Sequence, residues 1–298
     1  MFSQRTSIRI LVTLLTALGL SACASLLKPE PTLTPTATLT PEPPTATPEP
    51  LALTVNGEGI SVVDFDAEVR RYTTAQQALG KTVSDSDAAS AVIEDLTAQL
   101  LLAQSARAEG FALDDAGLQS RIDSLVAEIG GTANLSKWES DHGYTDQDFR
   151  SALRRDAEAA WMRDKIIAAV PSTAEQVHVQ QILLYNQDKA QSFLLQLNGG
   201  ADFDELALRA DPLTRGDLGW IPKGYLLDAK IEEVAFALPV GEHSDVIATD
   251  VGFHILRVLE RDPEHPLSPD AYLALQELAL KNWIDEQRQK ANIVLAPT

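Results

Sequence analysis

Cysteine is nearly absent from this sequence, which contains one among 298 residues. A single thiol cannot form an intramolecular disulfide, so a disulfide scaffold and a Cys-rich zinc module are excluded. Basic residues are also scarce, with 24 Lys and Arg against 43 Asp and Glu, and no basic run exceeds two adjacent residues. Because phosphate contacts need clustered Lys and Arg, a dedicated nucleic-acid binder is excluded as well. The hydrophobic content of 45% is enough to fill about two domains of ordinary size.

Residues 1–23 have the features of a secretory signal. Arg5 and Arg9 precede an apolar run from Ile10 to Leu20, which is too short to cross a bilayer. The run leads into Leu-Ser-Ala-Cys at residues 20–23, which resembles the lipobox of bacterial lipoproteins. The resemblance implies that Cys23 is acylated, whereas the alternative is a plain signal peptide with an incidental cysteine. Since two or more acyl chains anchor a protein stably, we expect an extracytoplasmic protein held to the membrane through Cys23.

Residues 24–50 are rich in Pro and Thr, and the stretch 28–50 holds half of the 16 prolines. No core can be built from this composition. Pro-rich segments favour extended polyproline II at about 3.1 Å per residue, so the stretch reaches up to about 70 Å. We interpret 24–50 as a tether.

Residues 51–172 predict a helical domain. Leu51–Val55 alternates like a strand before the turn pair Asn56-Gly57, and five helical segments follow before Pro171. Capping patterns at Ser61 and Thr145 mark the beginnings of the first and fifth helices. We see no catalytic constellation here, and His142 has no partner at metal-ligand spacing, so we interpret it as structural.

Residues 173–262 carry a series of motifs. Gly-Ala-Asp-Phe occurs at 200–203, Gly-Asp-Leu-Gly-Trp at 216–220, Phe-Ala-Leu at 236–238 and Gly-Phe-His-Ile at 252–255. The segment predicts a β-α-α-α-β-β order, and with these motifs it resembles the parvulin family of peptidyl-prolyl isomerases. A helical domain before such a segment and a long helix after it resemble the SurA/PrsA class of extracytoplasmic foldases.

In that class the C-terminal helix returns to the N-terminal domain. Residues 263–298 offer an apolar stripe after Pro269, and residues 292–295 match Leu51–Val55 as a strand partner. We therefore expect an α+β fold, in which 51–172 and 263–298 form one discontinuous helical chaperone-like domain. The inserted parvulin-like domain at 173–262 is expected to have a small antiparallel sheet surrounded by helices.

The resemblance implies an apolar pocket for a proline ring. The matching positions, each of which is also an ordinary core candidate, are Leu218, Ile221, Leu226 or Leu227, Ile231 and Phe236.

The resemblance also implies a polar cluster beneath that pocket, and here the sequence departs from the family. His254 matches the histidine of the last strand, whereas Gln181 stands where the first strand usually carries a second histidine. Gln forms hydrogen bonds but cannot become a cation. Thr249 either completes the cluster or is an ordinary strand residue, and Asp211 either acts in the site or caps a shortened loop.

The function that the resemblance implies is peptidyl-prolyl isomerisation and folding of secreted or unfolded polypeptides with X-Pro bonds. This reaction needs no cofactor and no metal. The alternative is a non-catalytic holdase that keeps the parvulin fold for peptide binding, which Gln181 and the short Asp211 loop favour. A solute-binding or adhesive lipoprotein would need a different fold.

Overall fold

The computed structural model describes residues 49–226 and 228–296. The predicted lipidation site Cys23, nearly all of the tether and Leu227 lie outside these residues. Within the described ranges, the helices are all too short or too polar to span a bilayer.

The N-terminal part consists of a strand hairpin and five helices; the sequence predicts the first strand, the turn and the five helices, but not the second strand. In chain order they are β1 (Leu51–Val55), β2 (Glu58–Ser61), α1 (Val62–Ala78), α2 (Asp85–Ala108), α3 (Asp115–Ile129), α4 (Thr132–Asp141) and α5 (Asp146–Ala168).

Side chains that accept a backbone N–H bond precede four of these helices. Ser61 accepts from the amide of Asp64, and Thr145 forms the predicted reciprocal capping box with Asp148. Ser84 and Asp114 cap α2 and α3 in the same manner. Such contacts satisfy N–H groups that have no partner within the helix, which explains why the helices begin at these positions.

The second part of the chain begins with a long strand. Its elements are β3 (Thr173–Leu184), α6 (Gln187–Asn198), α7 (Phe203–Ala210), β4 (Asp217–Pro222), α8 (Ala229–Ala237), β5 (Ile247–Thr249) and β6 (Gly252–Pro266). The order predicted from the sequence is wrong, because β4 was not recognised between the second and third helices. Gly219 inside β4 has a left-handed φ of 71° and the β3–β4 register shifts beside it, so this strand lacks a regular alternating pattern.

These strands form a four-stranded antiparallel sheet in the order β4-β3-β6-β5. One apolar cluster joins Ile182, Leu184 and Ile255 to α6 and α7. A second joins Val177, Val179 and neighbouring strand residues to α8. The alternation of side chains along β3 and β6 thus produces two cores, one on each face of the sheet.

The chain then returns to the N-terminal helices through α9 (Pro269–Lys290) and β7 (Ile293–Leu295). Strand β7 pairs antiparallel with β1, as predicted, and completes a sheet of order β2-β1-β7. On α9, Leu280, Trp283 and Ile284 pack against a cluster that contains Met162 of α5. The fold is therefore the expected α+β arrangement of a helical part, completed by the C-terminal helix, and an intervening antiparallel sheet with helices on both faces.

Candidate functional site

Three of the four predicted polar site residues are in direct contact. Nδ1 of His254 lies 2.9 Å from Oε1 of Gln181, and Nε2 lies 3.0 Å from Oγ1 of Thr249. Because an amide oxygen only accepts, Nδ1 carries the proton and donates to Gln181. The Nε2 atom of a neutral imidazole then accepts from the Thr249 hydroxyl. We call these three residues the polar cluster.

The register of the sheet explains why these residues meet. Gln181 on β3 lies opposite Leu256 on β6, and His254 lies two residues away on the same face as Leu256. On the other side, His254 is paired with Ile247 of β5. Since Leu256 and Ile247 belong to the apolar cluster under α8, the polar cluster borders that apolar cluster directly.

Burial controls the charge of the histidine. His254 is buried, and desolvation lowers its pKa below the ordinary 6.5, while the negative charge of Asp228, the smaller effect, acts in the opposite direction. His254 is therefore neutral at pH 7. Asp228 was not among the residues predicted from the sequence; its side chain caps α8 by accepting from the amides of Lys230 and Ile231. An Asp just before a helical segment was the available signal.

His178 takes no part in the polar cluster. Its Nε2 lies 2.8 Å from Oδ1 of Asp217, and its ring stacks on Trp220 with the centroids 5.5 Å apart. The odd spacing between His178 and Gln181 along β3 places them on opposite faces of the strand.

Asp211, the fourth predicted polar residue, bonds within its own turn. Its Oδ1 accepts from the amides of Leu213 and Thr214, and its Oδ2 accepts from the Thr214 hydroxyl. These bonds, the hydroxyl first, lower the pKa of Asp211 below 3.8. The arrangement matches the turn-capping alternative. Asp211 nevertheless lines the same cavity as Gln181.

The described apolar positions of the predicted proline pocket lie in one cluster under α8. Ile221 and Ile231 are buried within it, whereas Leu218, Leu226 and Phe236 are half-buried at its edge. The two isoleucines are thus inaccessible, and we call the three partly exposed side chains of Leu218, Leu226 and Phe236 the apolar rim. Leu227, the alternative to Leu226, lies outside the described residues.

A cavity of about 320 Å³ opens beside Gln181, between the end of β3 and the loop 211–216. Two strongly exposed apolar side chains line it, Tyr185 at 82% and Leu213 at 93%. Leu183 adds a half-buried apolar wall. Apolar side chains left in water beside a cleft are a common feature of surfaces that bind peptides.

In the described part of the chain, no group of three His, Cys, Asp or Glu side chains converges as a metal site would require. His142 stacks on the Trp138 ring at 4.2 Å, and its Nδ1 lies 2.7 Å from the Trp138 carbonyl oxygen. These contacts agree with a structural role for His142.

Two protein-family models match parts of the chain. Residues 169–272 match the model of the PPIC-type PPIASE domain. Residues 42–160 match the model of the SurA-like N-terminal domain.

Curated relatives cover only part of the chain. It is 33% identical over 144 residues to "Chaperone SurA" of Methylobacillus flagellatus, covering 41% of this chain and 33% of the relative. It is 32% identical over 97 residues to "Foldase protein PrsA" of a Geobacillus species, covering 31% of this chain and 35% of the relative. The chain thus spans about a third of the length of these relatives. Among solved structures, a peptidylprolyl isomerase (PrsA) from Bacillus cereus aligns over 78% of this chain and 83% of its own, with a TM-score of 0.43 and 19% identity.

Proposed function

Since the chain combines a PPIC-type PPIase domain with a SurA-like N-terminal domain, we propose that it is a peptidyl-prolyl cis-trans isomerase and foldase. Its substrates are secreted or unfolded polypeptides with X-Pro bonds. The observation that carries the proposal is the hydrogen-bonded polar cluster of Gln181, Thr249 and His254 at the border of the apolar cluster under α8.

The chemistry of the reaction fits this arrangement. Rotation about an X-Pro amide breaks its partial double bond, with a barrier of about 18–20 kcal/mol and no covalent intermediate. An apolar pocket holds the proline ring while the amide twists, and a fixed polar rim favours the twisted state over the planar one. In this proposal the apolar rim of Leu218, Leu226 and Phe236 contacts the proline ring. The polar cluster supplies fixed dipoles without transferring a proton.

Replacement of the usual histidine by Gln181 is compatible with this role. The Gln181 oxygen accepts the Nδ1–H bond of a neutral His254, so the cluster keeps its geometry without a second titratable group. On the other side of Gln181, the cavity with Leu183, Tyr185 and Leu213 accommodates the peptide that flanks the proline. Asp211 shapes this wall by holding the turn.

An isomerisation assay by NMR exchange on X-Pro peptides tests the proposal. The full chain is compared with Leu218→Ala and Leu226→Ala, and with Leu208→Ala as a matched control on α7. We expect acceleration above the spontaneous rate and a loss of about tenfold or more in the two rim variants, because each removes contact with the proline ring. The isomerisation rate of the Leu208→Ala control should remain within about twofold of the rate of the parent protein. No acceleration by the folded parent protein would refute the isomerase.

A holdase is the second candidate, and exposed apolar side chains on the N-terminal helices favour it. Val63 on α1, Leu79 directly after α1 and Trp138 on α4 are all exposed. In this case the folded protein suppresses aggregation of an unfolded client without accelerating isomerisation. We further propose that 51–172 and 263–298 act as one client-binding domain, supported by the β1–β7 pairing and by the packing of α9 on α5.

We propose an extracytoplasmic location with a lipid anchor at Cys23, supported by the lipobox-like residues 20–23 and the Pro-rich tether. Cys23→Ala should move the protein from the membrane fraction to the soluble fraction and abolish labelling by a radioactive fatty acid. Unchanged labelling in the variant would contradict the anchor.

A further inference from the structure

Gln180 precedes Gln181 on β3, and its side chain lies on the opposite face of the strand from the polar cluster. It is only 4% exposed, which is unusual for glutamine, and all of its bonds are long-range. Its Oε1 accepts from Nη2 of Arg257 at 2.6 Å. Its Nε2 donates to Oδ1 of Asp204 at 3.1 Å and to the carbonyl oxygen of Arg215 at 2.9 Å.

These partners come from three different elements. Arg257 lies on β6, Asp204 lies in the first turn of α7, and Arg215 lies in the loop that carries Asp211. Arg257 also donates to Asp204 at 2.6 Å, which closes a triangle with Gln180. The guanidinium lies over the Phe203 ring at 4.6 Å, which restricts its position further. A fixed group thus holds the Arg215 carbonyl.

The loop is strained at the place where Gln180 holds it. Arg215 has a left-handed φ of 56°, a conformation that costs a non-glycine residue about 1 kcal/mol. The next residue, Gly216, accepts a hydrogen bond of 2.8 Å from the amide of Gln181. Two consecutive residues of β3 therefore donate hydrogen bonds to two consecutive residues of the loop. Gln180 donates from its side chain to Arg215, and Gln181 donates from its backbone to Gly216.

We infer that Gln180 is a positioning residue for the proposed isomerase, and that with Arg257 and Asp204 it fixes the loop 211–216 against Gln181. The inference rests on the proposed function. Leu213 and Asp211 of this loop form one wall of the cavity beside Gln181, so movement of the loop alters that wall.

Gln176 provides a matched control on the same strand. It is also a buried glutamine, 1% exposed, and its Nε2 donates to two carbonyl oxygens, of His265 and Pro266. Gln180→Met and Gln176→Met each remove buried side-chain bonds with little change of volume. Gln180→Glu keeps an acceptor for Arg257 but cannot donate to Arg215.

The experiment measures kcat/KM on X-Pro peptides and amide hydrogen exchange of residues 211–217 in the full chain. We expect Gln180→Met and Gln180→Glu to lose about tenfold or more in kcat/KM and to exchange faster at these amides. Gln176→Met should lose thermal stability but stay within about twofold of the parent protein in kcat/KM, with unchanged exchange in the loop.

Equal losses in Gln176→Met and Gln180→Met would overturn the inference, because they would show a general stability effect. Full activity of Gln180→Glu would overturn it too, since the bond to Arg215 would then be unnecessary. If the parent protein is not an isomerase, the proposed function fails, and exchange alone decides the positioning role. Unchanged loop exchange in Gln180→Met refutes that role.

Discussion

Gly216 meets two constraints at a single residue. Its φ of 69° is left-handed, and a Cβ atom there would lie 1.8 Å from the carbonyl oxygen of Gln181. Gly241 also has a left-handed φ of 87°, but a Cβ atom there has no neighbour within 4 Å. The comparison separates the cost of the backbone conformation from the cost of the collision.

We expect Gly216→Ala to lower the free energy of unfolding by about 3 kcal/mol or more, because the strand and the loop must separate. Gly241→Ala should lower it by about 1 kcal/mol, the cost of a left-handed alanine. Urea unfolding of both variants measures the difference. Equal losses would show that β3 and the loop are not in close contact.

The pH dependence at the residue scale follows from the lowered pKa of His254. Below pH 6.5 an unfolded histidine takes up a proton, whereas the folded state resists protonation. The stabilisation by neutral His254 is therefore complete above pH 6.5 and is lost as the pH falls through the folded pKa. We expect an NMR titration midpoint for His254 below 6.5, and a urea midpoint that falls less on acidification in His254→Gln than in the parent protein. An NMR titration midpoint of His254 at or above pH 6.5 would contradict this prediction.

At the scale of elements, Glu158 joins α5 to α2 and to the segment between α2 and α3. Its side chain is 2% exposed, pairs with Arg107 of α2 and accepts from the amide of Leu113 at 3.2 Å. Arg107 also pairs with Glu58 of β2. Arg107 thus bridges two carboxylates, and removal of Glu158 leaves both Arg107 and a backbone N–H with fewer partners.

We predict that Glu158→Ala lowers the free energy of unfolding by about 2–3 kcal/mol, at the low end for a buried pair because a third of Arg107 is exposed. Lys137→Ala, which breaks an exposed pair with Asp141 on α4, should change it by less than about 0.5 kcal/mol. Chemical denaturation of the two variants tests this. Similar values for both would mean that the Glu158 pair does not hold the helices together.

At the scale of the whole molecule, β7 pairs the C-terminal segment with β1, the first described strand. Ile293 packs on the core around Leu53 and Val55, whereas Leu295 on the same strand is half exposed. We expect Ile293→Asp to lower the free energy of unfolding by more than about 2 kcal/mol, because it buries a charge. Leu295→Asp should cost less than about 1 kcal/mol. Thermal unfolding followed by circular dichroism compares both variants with the parent protein. If Ile293→Asp is as stable as the parent protein, β7 has no role in closing the fold.

Local sequence determined where most elements of this protein begin. Ser61 and Thr145 mark helix starts because a cap depends on residues three positions away. Strand β4 was missed since its positive-φ glycine and shifted register remove the alternation that identifies strands. The motif order identified the parvulin-like domain and selected Gln181, Thr249 and His254, whose contacts the structure contains.

Tertiary structure alone decided which groups the remaining residues of the candidate site contact. Asp211 turns inward on its own loop, Asp228 influences His254 from the start of α8, and Gln180 binds Arg257 across 77 residues of chain. A sequence pattern records periodicity and capping over a few residues, but such contacts depend on strand register and on how helices pack on the sheet. Capping patterns and family motifs therefore indicated the type of fold, whereas long-range packing determined the contacts of the candidate site.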